Sequence, residues 1–262
     1  MFEGWDLADV CAVARDAGYT GVELAPFTLG KLANDVTPSE RAAVRVAARD
    51  AGVEIVGLHW LLAQTIGYHI SSSDAVTRQR TAAYLSELVH LCADLGGGVM
   101  VFGSPKQRCL SDGVTYQQAW DYAIETFRAL VPTLESRGVI LCLEPLAPTE
   151  TDFINSAEDA ARMIHDVDSP NFQMVLDVKA MSSESKPIPQ TIRESRAMLR
   201  HFHANDENLR GPGFGNTDFV PIAAALKEIE YSGWVSVEVF DFTPDPVTIA
   251  RKSMEYLHRV FA

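Results

Sequence analysis

Short runs of apolar, strand-forming residues alternate along this chain with longer stretches in which apolar residues recur at helical spacing. Seven runs are rich in Val, Ile, Leu and Phe and predict β-strands: residues 21–26, 54–60, 98–104, 138–145, 172–178, 199–205 and 234–240. The longest predicted helices between them cover about 6–17, 74–95, 115–136 and 246–261. A capping box from Thr37 to Glu40 predicts the start of another helix.

This alternation predicts an α/β fold with one parallel sheet, because strands that are apolar throughout need helices on both faces. We expect a (β/α)8 TIM barrel that forms a single domain over residues 1–262, since no segment resembles a linker. Seven strands are clear and only Met1–Trp5 precede the first helix, so strand 1 is expected to be short or truncated at the N-terminus. A flat doubly wound sheet is the alternative, which the lack of a glycine-rich phosphate loop disfavours.

Composition and charge narrow the range of partners. The formal net charge is −13, and such an acidic surface repels phosphate backbones, so nucleic acid is not an expected partner. The sequence has no run of about 18 uncharged apolar residues and no basic segment followed by an apolar core at its start, so we expect neither a membrane span nor a secretory signal. The four cysteines are scattered, which is typical of reduced thiols in a cytoplasmic protein. A homo-oligomer is compatible with these features.

Four consecutive predicted strands end in a residue that can bind a metal ion: Glu144, Asp177, His203 and Glu238. Their sequence numbers lie 33, 26 and 35 apart, close to the roughly 30 residues of one strand–helix unit in a barrel of about 250 residues. Because the carboxyl ends of barrel strands form one open mouth, we expect these side chains at similar heights around the same space. Side-chain alternation places Cys142 on the same face as Glu144.

Three carboxylates and an imidazole at one point favour a bound cation. Without a cation, neighbouring carboxylates raise each other's pKa and cannot all stay ionised. No thiolate lies among the four residues, so a hard or borderline divalent ion is favoured. We expect one such ion, with Mn²⁺ first and Mg²⁺ or Co²⁺ as alternatives. A single strand-end acid is as often a cap or an ion-pair partner, but four in register favour a metal site.

With these residues identified, the chain resembles the xylose-isomerase-like TIM-barrel superfamily of sugar phosphate isomerases and epimerases, and within it the ketose 3-epimerases. The resemblance covers the chain from residue 6 onward and includes the motif EPL at 144–146 followed by ET at 150–151. It implies that the four residues hold one divalent metal and that Glu144 and Glu238 are also the catalytic proton-transfer residues. It further implies that Glu150 contacts the sugar.

The chain departs from the ketose 3-epimerase pattern at two positions. Ala180 stands where those enzymes carry a histidine, three residues after the aspartate ligand. Leu209 stands where they carry an arginine, and Arg210 follows one place later. We expect Arg210 and Lys179, which lie beside these departures, to bind substrate. The departures shift the expected substrate from a simple ketose toward an oxidised, phosphorylated or glycosylated sugar.

Three further residues near strand ends are expected to contact substrate. His59 ends the run 54–60 and is placed to meet sugar hydroxyls, although local hydrogen bonds are the alternative explanation for this histidine. Lys106 and Arg108 follow the run 98–104 and are candidates to bind a phosphate or carboxylate, with a solvated loop as the alternative.

Two other polar residues are weaker candidates. Glu23 also lies near the end of a predicted strand. His201 points the same way as His203 but one layer deeper, so a supporting or core position is expected.

The expected function is that of a divalent-metal-dependent isomerase or epimerase that acts on a sugar or sugar derivative by proton transfer through a metal-bound enediolate. One alternative is a lyase or dehydratase of the same superfamily acting on a keto-sugar or keto-glycoside, because loss of a leaving group starts from the same enediolate. Another alternative is a non-catalytic sugar-binding barrel.

Overall fold

A computed structural model describes residues 1–30 and 32–262, and within them one sheet of seven parallel strands. The strands follow one another around the sheet in chain order. They are β1 Gly21–Leu24, β2 Glu54–Leu58, β3 Val99–Phe102, β4 Ile140–Leu143, β5 Phe172–Asp177, β6 Leu199–Ala204 and β7 Trp234–Val237. All seven predicted strands are confirmed, with slightly shorter bounds.

Helices connect the strands and form the outer layer. In the described ranges they are α1 Leu7–Ala17, α2 Pro38–Ala51, α3 Ala75–Leu95, α4 Tyr116–Arg137, α5 Ala157–Val167, α6 Val178–Met181, α7 Ile188–Glu194, α8 Phe219–Glu228 and α9 Pro246–Phe261. The predicted capping box is formed, since the Thr37 N–H donates to the Glu40 carboxylate at 2.7 Å and the Thr37 hydroxyl accepts from the Glu40 N–H. None of the helices in these ranges is both long and apolar enough to cross a membrane.

The sheet curls into a nearly closed barrel, which confirms the TIM-barrel prediction. β1 and β7 form the two edges, and they are not paired in the described residues. The Trp234 ring narrows the gap, because a Cβ atom at Gly21 would lie 3.0 Å from it. Outside the sheet, α1 packs against α9, and the Tyr19 hydroxyl donates to the Ala250 carbonyl at 3.0 Å.

The first five residues do not form a short strand, which was one of the two possibilities expected for strand 1. They form a turn in which the Trp5 N–H donates to the Phe2 carbonyl at 3.2 Å. Gly4 has a φ of +79°, in the left-handed region, which is incompatible with an extended strand.

The core has two parts, one inside the barrel and one between the sheet and the helices. Leu141 and Leu143 belong to the outer part. The interior cluster comprises Val99, Val101, Cys142 and Val175. This alternation is the predicted one, and it places Glu144, the next inward-facing residue after Cys142, at the open end of the interior.

Candidate metal centre

The four predicted ligands meet at the carboxyl ends of β4 to β7. Glu144, Asp177, His203 and Glu238 each offer one ligand atom, and these atoms all lie within 4.8 Å of one another. The four residues are buried, with exposed fractions between 1% and 9%. The structure therefore brings together the residues that the sequence singles out, and metal binding by them stays a prediction.

The contacts of His203 fit a cation at this point. Its Nε2 lies 3.2 Å from Glu23 Oε2. Its Nδ1 is buried, lies 3.0 Å from Glu238 Oε2, and has no hydrogen-bond partner among the described residues. A buried nitrogen without a donor or acceptor partner is uncommon, and a shared metal ion would satisfy it together with the carboxylate oxygen. The donor set of three carboxylates and one imidazole suits a hard or borderline divalent ion.

The charges of the cluster conflict unless a cation is added. Burial raises the pKa of Glu144 well above its usual range, and Glu238 and Asp177 raise it further. Burial and the nearby Glu238 carboxylate raise the pKa of Asp177 to about 6. Burial also acts to raise the pKa of Glu238, but the adjacent His203 outweighs it and holds that pKa well below its usual range. A divalent ion would stabilise the ionised form of all three carboxylates.

Glu238 is held in place by two residues that follow β2. Its Oε1 accepts a hydrogen bond from Trp60 Nε1 at 2.8 Å and lies 3.1 Å from His59 Nδ1. Trp60 adopts a φ of +54°, an unusual conformation for a bulky residue. The partner of His59 is thus a distant residue of the predicted site and not a local one, and the side chain of His59 is 22% exposed. Contact of His59 with substrate stays a prediction. The contact of Trp60 with Glu238 was not predicted from the sequence.

The Glu144 carboxylate is less constrained than that of Glu238. No hydrogen bond reaches its oxygens from the part of the chain that the structure describes. Gly103, just after β3, leaves the space that this side chain occupies, because a Cβ atom there would collide with Glu144 Oε2. The glutamate is therefore positioned by packing and by its main chain.

Arg108 holds the main chain of the loop that begins at Glu144. Its side chain is fully buried, and Nη1 and Nη2 donate to the carbonyls of Glu144 and Ile154 at 2.6 and 2.8 Å. These partners differ from the substrate that the sequence predicts for Arg108, and that substrate contact stays a prediction.

Asn205 orients Asp177 and is a functional candidate that sequence reasoning missed. Asp177 Oδ1 accepts from the Ala180 N–H at 2.8 Å, and its Oδ2 accepts from the Asn205 side-chain amide. The side-chain oxygen of Asn205, Oδ1, in turn accepts a hydrogen bond from the main-chain N–H of Lys179 at 2.8 Å. The available signal was that Asn205 stands two residues after His203, on the same face.

A pocket of about 540 Å³ is lined by residues that include Glu150, Lys179, Glu207, Leu209 and Phe240. Lys179 and Phe240 each follow a predicted ligand by two residues. Lys179 Nζ lies 2.8 Å from Glu150 Oε1 and 4.2 Å from the centre of the Phe240 ring. Two of the predicted substrate-binding residues, Glu150 and Lys179, thus share one wall of this pocket.

The other two positively charged side chains that were predicted to bind substrate lie outside this pocket. Lys106 is exposed on a short 3-10 turn, Pro105–Gln107. Arg210 is about one-third exposed and pairs with Asp241, with 2.9 Å between Nε and Oδ2. Neither is among the pocket-lining residues in the described part of the chain, and their contacts with substrate stay predictions.

Comparison with known proteins agrees with the fold. The model of the xylose isomerase-like TIM barrel family matches residues 11–260. A D-psicose 3-epimerase of Agrobacterium fabrum is 29% identical over 217 residues, which cover 79% of this chain and 71% of that protein. A D-psicose 3-epimerase of Ruminiclostridium cellulolyticum is 30% identical over 176 residues, which cover 66% of this chain and 59% of that protein.

A solved structure shows the same architecture over almost the whole chain. It is the apo form of the 3-keto-D-glucoside 4-epimerase of E. coli, with a TM-score of 0.85 and 21% identity, covering 98% of this chain and 96% of that one. At this identity the likeness concerns the fold, while the family match rests on the sequence. The chain belongs to the xylose isomerase-like TIM barrel family.

Proposed function

We propose that this protein is a divalent-metal-dependent sugar epimerase or isomerase with Mn²⁺ as its metal. The observation that carries this proposal is the convergence of four buried ligand atoms within 4.8 Å at the mouth of the barrel. The relatives add support, because two of them are named D-psicose 3-epimerases and a third is named a 3-keto-D-glucoside 4-epimerase.

The metal would be held by Glu144, Asp177, His203 and Glu238. When bound, such an ion supplies a positive charge that stabilises the negative charge developing on a substrate carbonyl oxygen as a neighbouring C–H bond is broken. The fixed orientation of the ligands favours this role, since Asp177 is held through Asn205 and Glu238 through Trp60.

Glu144 and Glu238 would move the protons. The Glu144 oxygens accept no hydrogen bond from the described residues, so this carboxylate is free to accept and return a proton. Glu238 would serve on the other side of the substrate, in the position set by His59 and Trp60. Return of the proton to the opposite face of the same carbon gives epimerisation, and return to the adjacent carbon gives isomerisation.

The sugar would lie in the pocket beside the ligands. Glu150 Oε2 has no hydrogen-bond partner among the described residues, and the Lys179 ammonium has more donors than its contact with Glu150 uses. The pair could therefore bind two neighbouring hydroxyl groups. Trp60 and Phe240 stack with ring centres 6.1 Å apart and offer an apolar surface for the C–H face of a sugar ring.

The test is a deuterium-exchange experiment. Metal-stripped protein is reloaded with Mn²⁺ and incubated in D₂O with D-fructose, D-psicose, D-tagatose and 3-keto-glucosides, and exchange is followed by NMR. We expect deuterium at a carbon next to the carbonyl group, only with metal present, and a loss of at least about 100-fold in Glu144→Gln. Glu87→Gln, at an exposed glutamate of α3, is the matched control and should keep full activity.

Three outcomes would count against the proposal. Sugar binding without exchange would indicate a non-catalytic barrel. A product that has lost a substituent would indicate a lyase or dehydratase. Exchange that continues in the metal-free protein would exclude metal dependence.

A further inference from the structure

Glu23, the third residue of β1, links two histidines of β6 across the barrel interior. Its Oε1 lies 2.8 Å from His201 Nε2, and its Oε2 lies 3.2 Å from His203 Nε2. The exposed fractions of the Glu23, His201 and His203 side chains are 8%, 0% and 1%. The residue lies below the four ligands, and the metal-binding set proposed above does not include it.

The two contacts determine where each imidazole carries its proton. An ionised carboxylate accepts hydrogen bonds and donates none, so Nε2 of each histidine must be the protonated nitrogen. A histidine that binds a metal ion is neutral and carries only one N–H, which leaves Nδ1 of His203 with a free lone pair. This atom lies 3.0 Å from Glu238 Oε2 without a hydrogen bond in the described part of the chain, so it is the atom that faces the metal cluster.

We propose that Glu23 is a positioning residue that selects the Nε2–H tautomer of His203 and so presents Nδ1 to the metal ion. His201 occupies the second oxygen of Glu23 and fixes the plane of the carboxylate. The role of Glu23 rests on the proposed function, because it concerns the same metal ion. Partners of this kind, which orient a ligand without touching the metal, commonly change metal affinity by about 10- to 100-fold.

A second metal ion held by Glu23, His201 and His203 is the competing arrangement, since their ligand atoms also lie within 4.8 Å of one another. In that case His203 would bind through Nε2, and its proton would sit on Nδ1, facing Glu238. The geometry disfavours this state, because the 3.0 Å contact between Nδ1 and Glu238 does not form a hydrogen bond.

Two measurements on the full chain test the proposal. Long-range ¹H–¹⁵N spectra of the metal-stripped protein, recorded at a pH at which His203 is neutral, report the tautomer of His203. Calorimetric titration with Mn²⁺ reports stoichiometry and affinity. We expect His203 to carry its proton on Nε2 and one ion to bind per chain. Glu23→Leu should weaken Mn²⁺ binding by about 10- to 100-fold. His201→Phe keeps an aromatic ring at this position and leaves the contact between Glu23 and His203 in place, so it should weaken binding clearly less.

Four results would contradict the proposed role of Glu23. A neutral His203 with its proton on Nδ1, two ions per chain, or a Glu23→Leu affinity within twofold of wild type would overturn the proposal. Equal losses in Glu23→Leu and His201→Phe would also overturn it, because they would indicate only a general structural role. If Glu23→Leu does not fold, the wild-type tautomer and stoichiometry decide the question. If the wild type binds no Mn²⁺, the proposed metal function fails, and the tautomer still tests Glu23 separately.

Discussion

Replacing Arg108 with methionine tests how the loop that carries two candidate active-site glutamates is held. The buried guanidinium donates to the carbonyls of Glu144 and Ile154, which begin and end this loop. Glu150 lies between them. Ile154 has a φ of +61°, an unfavourable conformation for a β-branched residue, so the bond to its carbonyl stabilises a strained segment.

The size of the effect follows from these contacts. Methionine keeps much of the apolar stem of Arg108 but offers no donor. A buried carbonyl that loses its partner costs about 1–3 kcal/mol, so two would cost about 2–6 kcal/mol. The Ile154 carbonyl retains a weaker bond from the Leu146 N–H at 3.3 Å, which lowers this figure. Removing a buried cation, whose pKa burial lowers to about 10, offsets part of the loss. We expect the free energy of unfolding to fall by about 2–4 kcal/mol.

Urea unfolding of the wild type, Arg108→Met and Lys106→Met measures this difference. Lys106 is exposed on the same short segment, so Lys106→Met should stay within about 0.5 kcal/mol of wild type. The exchange assay should also show a lower kcat for Arg108→Met, because Glu144 is displaced. A stability within about 0.5 kcal/mol of wild type, combined with a raised KM, would refute this reasoning and support the sequence-based prediction that Arg108 binds substrate.

Three further predictions concern the ligands themselves. Gly103→Ala places a methyl group against Glu144 Oε2 and displaces this carboxylate, so kcat in the exchange assay should fall roughly 100-fold while the thermal unfolding midpoint changes little. An unchanged kcat would contradict the contact between Gly103 and Glu144. Trp60→Phe removes the indole N–H that donates to Glu238 and keeps an aromatic ring, so calorimetry should show Mn²⁺ binding weakened by about tenfold. Unchanged Mn²⁺ affinity would show that this hydrogen bond does not position Glu238. The pKa of Asp177 is about 6 and that of Glu144 is raised, so both carboxylates take up protons as the pH falls. Protons then compete with the metal, and Mn²⁺ affinity should drop as the pH falls through 6. A constant affinity from pH 7 to 5 would contradict the assignment of these two ligands.

The ligand cluster could be predicted from the sequence because a barrel repeats the same strand–helix unit along the chain. Glu144 and Glu238 each follow the last residue of a strand, and Asp177 ends one, so the strand–helix period alone places them at similar heights. Side-chain alternation also predicted that Cys142 shares a face with Glu144, and in the structure Cys142 lies in the interior cluster while Leu141 and Leu143 lie in the outer part of the core. These features depend only on strand position, which sequence patterns specify well.

The contacts that position the ligands could not be predicted from the sequence, because they depend on side-chain and backbone conformation. Arg108 stands near a strand end, but its position does not tell whether a long side chain turns to the pocket or back to the main chain. The contact of Trp60 with Glu238 requires a left-handed backbone conformation that no local signal predicts. The short helices α6 and α7 were also missed, because the serine-rich segment 182–185 and Pro187 interrupt any helical periodicity.

The most direct test of a metal site at the barrel mouth is anomalous diffraction at the manganese absorption edge, from crystals of the Mn²⁺-loaded protein. We predict one strong peak per chain, about 2.0–2.5 Å from one atom each of Glu144, Asp177, His203 and Glu238, with Nδ1 as the atom of His203. The absence of a peak within bonding distance of these four side chains, or a peak bound elsewhere on the chain, would contradict the proposed function.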